Sequence, residues 1–243
     1  MHFRFLWRGL KTYFRDQRCE LLALRQGLQP NDIAVDVGAN KGSYLWALSR
    51  AVPQGRVVAF EPQPSLVEYL RTAITSNGLK NVRIEPLGVS AQPGKLVLAI
   101  PGNQIGSPGA SFEAHIRARK DAGMIEVAVT SLDEYFANEK QRIGAIKIDV
   151  EGHELAVLRG GLEIIRRDAP AIVVECEGRS VTGGDVRALF NELSKLNYRG
   201  QFVHRQRLKS IEQFDAAVHQ PRQGKRYWDH PDYCNNFVFR PAA

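Results

Sequence analysis

Five short, β-branched and largely apolar runs recur along the chain, at residues 33–37, 57–60, 82–84, 145–148 and 171–174. Runs without polar alternation are what strands covered on both faces require. Stretches of helical periodicity separate them, at 42–51, 65–76, 153–158, 162–167 and 185–196. Strand and helix in alternation predict an α/β fold built on a Rossmann-like, doubly wound, mostly parallel sheet. Runs at 96–100 and 125–129 form a β-rich excursion after the third strand, and runs at 198–203 and 236–239 close the sheet. The Gly/Pro-rich piece IPGNQIGSPGASF is a loop.

Ahead of the first strand lies an amphipathic segment, residues 1–28. Phe3, Leu6, Trp7, Leu10 and Phe14 form one stripe, and Arg4, Arg8, Lys11, Arg15 and Arg18 another. The pattern suits a helix packed on its own domain, the reading favoured here. It also suits peripheral membrane contact through residues 1–18. Residues 29–243 are expected to form one domain, since 243 residues with 44% hydrophobic content suffice for one sizeable core. Three cysteines without a CxxC or Cys/His cluster point to a reducing compartment and no structural zinc. No apolar run reaches 18 residues, so the expected location is cytoplasmic, with the membrane surface as the one alternative.

Chemistry concentrates at the first strand's exit, IAVDVGANKGSYLWAL. Gly38 and Gly42 permit a sharp turn and close approach of a ligand to backbone. The spacing D-x-G-x-x-x-G departs from the dinucleotide fingerprint G-x-G-x-x-G. Asp36 at the mouth disfavours a pyrophosphate and favours a cationic ligand, which argues against a nicotinamide dehydrogenase. S-adenosylmethionine, with an ammonium, a sulfonium and no phosphate, fits. Glu61 ends the second strand, where an acid hydrogen-bonds ribose hydroxyls in Rossmann-like units. The expected cofactor-binding set is Asp36, Gly38, Ala39, Asn40, Gly42, Ser43, Tyr44, Glu61, Pro62 and Gln63.

In this order the chain carries DVGANKGSY, AFEPQP, NVRIEPLGVSAQPGKL, VAVTSLDEYF and IKIDVEGHELAVLRGG. Together these blocks resemble the FkbM family of S-adenosylmethionine-dependent methyltransferases, over about residues 20–178. The resemblance implies a seven-stranded sheet whose last strand is antiparallel. It also implies mainly O-methylation of sugars, glycans or natural products.

The fourth strand ends in IDVEGHE, facing the cofactor loop across the switch point. Asp149 and His153 are the candidate bases for removing an acceptor proton, and Glu151 is the candidate for holding the turn by accepting backbone N–H groups. No second ligand set accompanies the D-x-E pair, so no metal is expected. The N/D-P-P-Y/F and Pro-Cys motifs of base-modifying methyltransferases are absent, and no nucleic-acid partner is expected despite the charge of +7. A non-catalytic S-adenosylmethionine-binding module on the same scaffold is the alternative. Residues 204–235 form an insertion between the last two strands, rich in Arg, Lys, Tyr and Trp. It is expected at the site's edge, where Arg222 and Arg226 would read an anionic glycan acceptor.

Overall fold

The computed structural model describes residues 2–103, 109–178, 180, 186–221 and 226–242. The amphipathic segment folds as α1 (Phe3–Lys11), a wider π-helical turn (Thr12–Asp16) and α2 (Arg18–Arg25). Then come β1 (Ile33–Val37), α3 (Leu45–Ala51), β2 (Arg56–Phe60), α4 (Pro64–Ser76) and β3 (Val82–Glu85). The excursion holds β4 (Gly88–Val89), β5 (Gly94–Ile100), α5 (Ala114–Arg117) and β6 (Gly123–Thr130). The second half runs α6 (Leu132–Tyr135), β7 (Ile143–Ile148), α7 (Glu154–Arg159), α8 (Leu162–Asp168), β8 (Ala171–Glu175) and α9 (Arg187–Lys195). It closes with β9 (Tyr198–His204), β10 (Arg207–Ser210), α10 (Ala216–His219) and β11 (Asn236–Pro241).

The main sheet has the order β10-β9-β11-β8-β7-β1-β2-β3. β1 pairs in parallel with both β2 and β7, and β7 with β8. From β1 the chain builds outward to β3, then returns to β7 and builds the other way, which puts the switch point between β1 and β7. The last strand, β11, is antiparallel to β8 and to β9, as the resemblance implies. The sheet has eight strands rather than the implied seven, because residues 207–210 fold back along β9 as a hairpin. That hairpin takes up the first residues of the 204–235 insertion, while Asn235 at its end bonds Glu175. β10 carries the chain away from the carboxyl ends, and the later residues bring it back to begin β11 opposite Glu175.

Alternation along the strands divides the core. Ile33, Val35 and Val37 of β1 join Ile146, Ile148, Ile172 and Val174 on one face, under α7–α9. Ala34, Ala59, Ala145 and Val173 lie on the other, under α2–α4, together with Phe5 of α1. Small residues dominate this second face, which leaves room for polar side chains from the same rows. Asp36 and Lys147 are direct partners in the β1–β7 register and share it with Ala34 and Ala145. The predicted helix at 42–51 begins only at Leu45, since Gly42 (φ 75°) and the two residues after it are spent in the turn. The predicted helix at 185–196 begins at Arg187, and Asp185 lies outside the described residues.

Candidate active site

The strand exits meet at Gly38. Its φ is 77°, and a Cβ there would overlap the carbonyl oxygen of Asp149. Only glycine allows the loop after β1 to lie against the loop after β7. The N–H groups of Gly38 and Ala39 both donate to the Phe60 carbonyl at 3.0 Å, tying the loop to the end of β2. Asn40 adopts a left-handed backbone (φ 48°) and aims its N–H at Glu61 Oε2, 2.8 Å away. The N–H of Gln63 donates to Glu61 Oε1 at 2.9 Å. Glu61 therefore bridges the glycine loop and the start of α4. Burial pushes its carboxyl up to about 7, and the two N–H donors oppose that rise.

Above this loop opens a pocket of ≈ 530 Å³, its mouth included. Gly38, Asn40, Glu61, Pro62 and Gln63 line it, together with the apolar Leu87, Val89, Leu98 and Phe112 and the acids Asp149 and Glu151. The rest of the expected cofactor set lies off its walls. Ala39 and Tyr44 are buried in the core below the loop. At Gly42 an added Cβ would stand 2.7 Å from the Phe5 ring and 2.9 Å from Leu70. Ser43 opens instead onto a groove beneath α1.

Asp36 is 1% exposed and lies below the pocket. The cation facing it is Lys147, whose Nζ stands 3.2 Å from Asp36 Oδ1 and 3.4 Å from Asp149 Oδ2. The same ammonium donates to the Gly38 carbonyl at 3.0 Å and lies over the Tyr44 ring, 5.4 Å from its centroid. Burial alone would lower the lysine's pKa, but Asp36 and Asp149 outweigh it and hold the ammonium firmly charged. Burial still raises the Asp36 carboxyl, and Lys147 works against that rise. Neither Asp36 oxygen has a hydrogen-bond donor in good geometry among the described residues. The sequence reading missed Lys147. Its one signal was a lysine within a strand otherwise suited to burial on both faces, which must find a carboxylate.

A second, smaller pocket of ≈ 290 Å³ adjoins the first and shares Asp149 and Glu151 with it. Glu154, Glu175 and Glu177 complete an acidic lining. Glu154, which the sequence did not single out, holds the turn, its Oε1 accepting the Gly152 N–H at 2.8 Å. Glu151 itself takes a left-handed backbone (φ 53°), and its carbonyl accepts the Ser111 hydroxyl at 2.6 Å. Glu175 accepts a bond from Asn235 Nδ2 at 2.7 Å. Burial, and then repulsion from Asp149, raises its carboxyl well above the ordinary range, while Lys147 partly offsets both. Among the described residues no His, Cys, Asp and Glu group is arranged to hold a metal ion.

His153 lines neither pocket. Its Nε2 is 2.9 Å from the Ser90 hydroxyl and its Nδ1 is 3.1 Å from Glu113 Oε1. Phe112 packs edge-on against the ring. The imidazole thus ties the β7–α7 turn to the loops of the small β4-β6-β5 sheet. Ser90 and Glu113 gave no sequence signal, since nothing local marks a residue that bonds 40 or more positions away. In the 204–235 segment, Arg226 pairs with Asp229 at 2.7 Å and Arg205 with Asp232 at 2.9 Å, while Arg222 and Lys225 lie outside the described residues.

The pocket suits S-adenosylmethionine better than a phosphate-bearing cofactor. Glu61 stands where ribose hydroxyls would donate, the loop backbone can be approached closely, and the charged groups that line the pocket are carboxylates rather than cations. Comparison with known proteins agrees. Methyltransferase sdnD of Sordaria araneosa is 32% identical over 159 residues, 55% of this chain and 61% of that protein, so the chain spans about six tenths of that relative's length. Hexuronic acid methyltransferase AglP of Haloferax volcanii is 28% identical over 214 residues, 82% of this chain and 79% of that one. A Streptococcus mutans protein solved in complex with SAH shares the fold, with a TM-score of 0.51 at 13% identity, covering 94% of this chain and 98% of that chain. The Methyltransferase FkbM domain model matches residues 36–199, from Asp36 through β9's second residue, and the chain belongs to that family of S-adenosylmethionine-dependent methyltransferases.

Proposed function

We propose that the protein O-methylates a hydroxyl of a sugar or glycan acceptor, with Asp149 receiving the hydroxyl proton. The observation that carries this reading is the position of Asp149 at the junction of the two pockets. S-adenosylmethionine supplies an activated methyl group. The acceptor oxygen bonds to that carbon as its bond to sulfur breaks, and the oxygen's proton passes to Asp149. The protein's own contribution is alignment and proton removal. An acid-lined second pocket suits a polyol, whose hydroxyls donate to carboxylates. The hexuronic acid methyltransferase among its relatives supports a sugar acceptor.

Glu61→Ala is expected to weaken S-adenosylmethionine binding roughly tenfold or more by titration calorimetry, through loss of charge-assisted bonds, and Asp36→Ala to weaken it indirectly, by releasing the Lys147 ammonium that holds the Gly38 loop. Wild-type affinity in both variants would remove the cofactor assignment. Asp149→Asn should keep cofactor affinity within a few-fold and lower turnover about 10²-fold or more, read as S-adenosylhomocysteine released with hexuronic acid glycosides. Unchanged turnover in that variant would assign the proton transfer elsewhere.

A further inference from the structure

The helix that opens the chain faces outward in an unusual way. With 3.6 residues per turn, Phe5, Gly9 and Thr12 fall on one side, and all three are buried against the domain. The opposite side should be polar. It instead carries Phe3, Trp7 and Phe14, which are 78%, 69% and 67% exposed. Arg4, Lys11 and Arg15 stand exposed on the same outward half. Residues 3–18 carry Arg4, Arg8, Lys11, Arg15 and Arg18 against the single acid Asp16, which Lys11 and Arg15 share at 3.0 and 2.8 Å.

A helix seated on its own domain has no structural use for three solvent-facing aromatic rings in a row. Their cost in water is recovered only against another apolar phase. Aromatics mixed with basic residues on one helix face match the interface of an anionic bilayer. There the rings enter the headgroup boundary, and the long basic side chains reach the phosphates. An uncharged protein partner would explain the rings but not the excess of cations.

We infer that the face formed by Phe3, Trp7 and Phe14, with Arg4, Lys11 and Arg15, docks the protein on an anionic membrane surface. The helix lies flat and does not span, and among the described residues no helix is long and apolar enough to cross. The groove lined by Arg4, Trp7, Ser43, Glu175 and Asn236 borders this face. Docking therefore brings the carboxyl end of β8 and the start of β11 close to the membrane.

The test is co-sedimentation of the full chain with vesicles of phosphatidylcholine containing about 30% phosphatidylglycerol, a charge density near that of anionic leaflets. The wild type should bind, bind pure phosphatidylcholine at least tenfold less, and be released as salt rises towards about 0.5 M. A Phe3→Ser/Trp7→Ser/Phe14→Ser variant should lose at least tenfold in partitioning. It should keep the wild-type melting temperature and S-adenosylmethionine affinity, because its targets are exposed. Absent vesicle binding by the wild type would overturn the proposal, as would equal binding by the triple variant. So would a dimer in sedimentation velocity that the triple variant abolishes, which would assign the face to a second copy of the chain. Should the triple variant melt early, Arg4→Glu/Arg15→Glu takes its place, and unchanged binding in that variant counts equally against the proposal.

Discussion

Lys147 gathers more of the site's electrostatics than any other side chain described. Asp36, Asp149 and the Gly38 carbonyl all converge on one buried ammonium. Removing it strands carboxylates in a low-dielectric interior, the situation in which a lost partner costs most. Lys147→Met is therefore expected to destabilise the fold by about 3–5 kcal/mol in urea unfolding and to weaken cofactor binding together with it. Full stability in this variant would show that the carboxylates take up protons without penalty. Glu61 offers a pH signature. Burial pushes its carboxyl up to about 7, so below that pH the neutral form is favoured in the free protein. Ribose hydroxyls donate to the charged form, so affinity for S-adenosylmethionine should rise between pH 6 and 8, and Glu61→Gln should flatten that rise. Equal slopes in the two proteins would detach the titration from Glu61.

At the scale of elements, α1 is held by close approach rather than by many long side chains. A Cβ added at Gly9 would stand 2.9 Å from the Trp46 Cβ on α3. Gly9→Val should lift α1 from the domain and lower the melting temperature by several degrees, as overpacking costs about 1–3 kcal/mol. A melting temperature equal to wild type would show that α1 contributes little to the fold. Apart from the two-residue β4, the strands were legible from sequence to within a residue or two, because apolar, β-branched runs mark the residues that a sheet buries. The hairpin strand β10 was not. Its residues RLKS carry no apolar run, and only pairing with β9 makes them a strand. The start of α3 was misplaced for a related reason, since the residues from Gly42 to Tyr44 have helix-compatible chemistry but serve the turn.

Across the whole molecule, buried acids shape the dependence on pH. Glu20, Glu61 and Glu154 are each raised to about 7, with burial the first cause in every case. A group whose folded pKa lies above its unfolded value lends stability in full below the unfolded pKa, and that stability is lost as pH rises through the folded one. The free protein should therefore lose stability between about pH 4.5 and 7. Glu20 lines neither pocket, so Glu20→Gln isolates the effect. Its melting temperature should exceed wild type at pH 8 and match it near pH 5. A gain of equal size at both values would assign the change to packing instead.

By itself the sequence determined the alternation of strands and helices, the switch point with its glycine turn, and the acids at the ends of β1, β2 and β7. Each rests on local physics: periodicity records which faces are buried, and a turn that combines positive φ with close backbone contact, as at Gly38, demands glycine. Only the tertiary structure decided what those acids meet. The β1–β7 register sets Lys147 beside Asp36, and the small sheet gives His153 its partners Ser90 and Glu113. The fold of the chain likewise turned Phe5 inward and left Phe3, Trp7 and Phe14 in solvent. Pairings of this kind depend on where distant strands and helices come to rest, and low-dielectric burial then fixes their charge. Neither leaves a mark in the neighbouring residues of the chain.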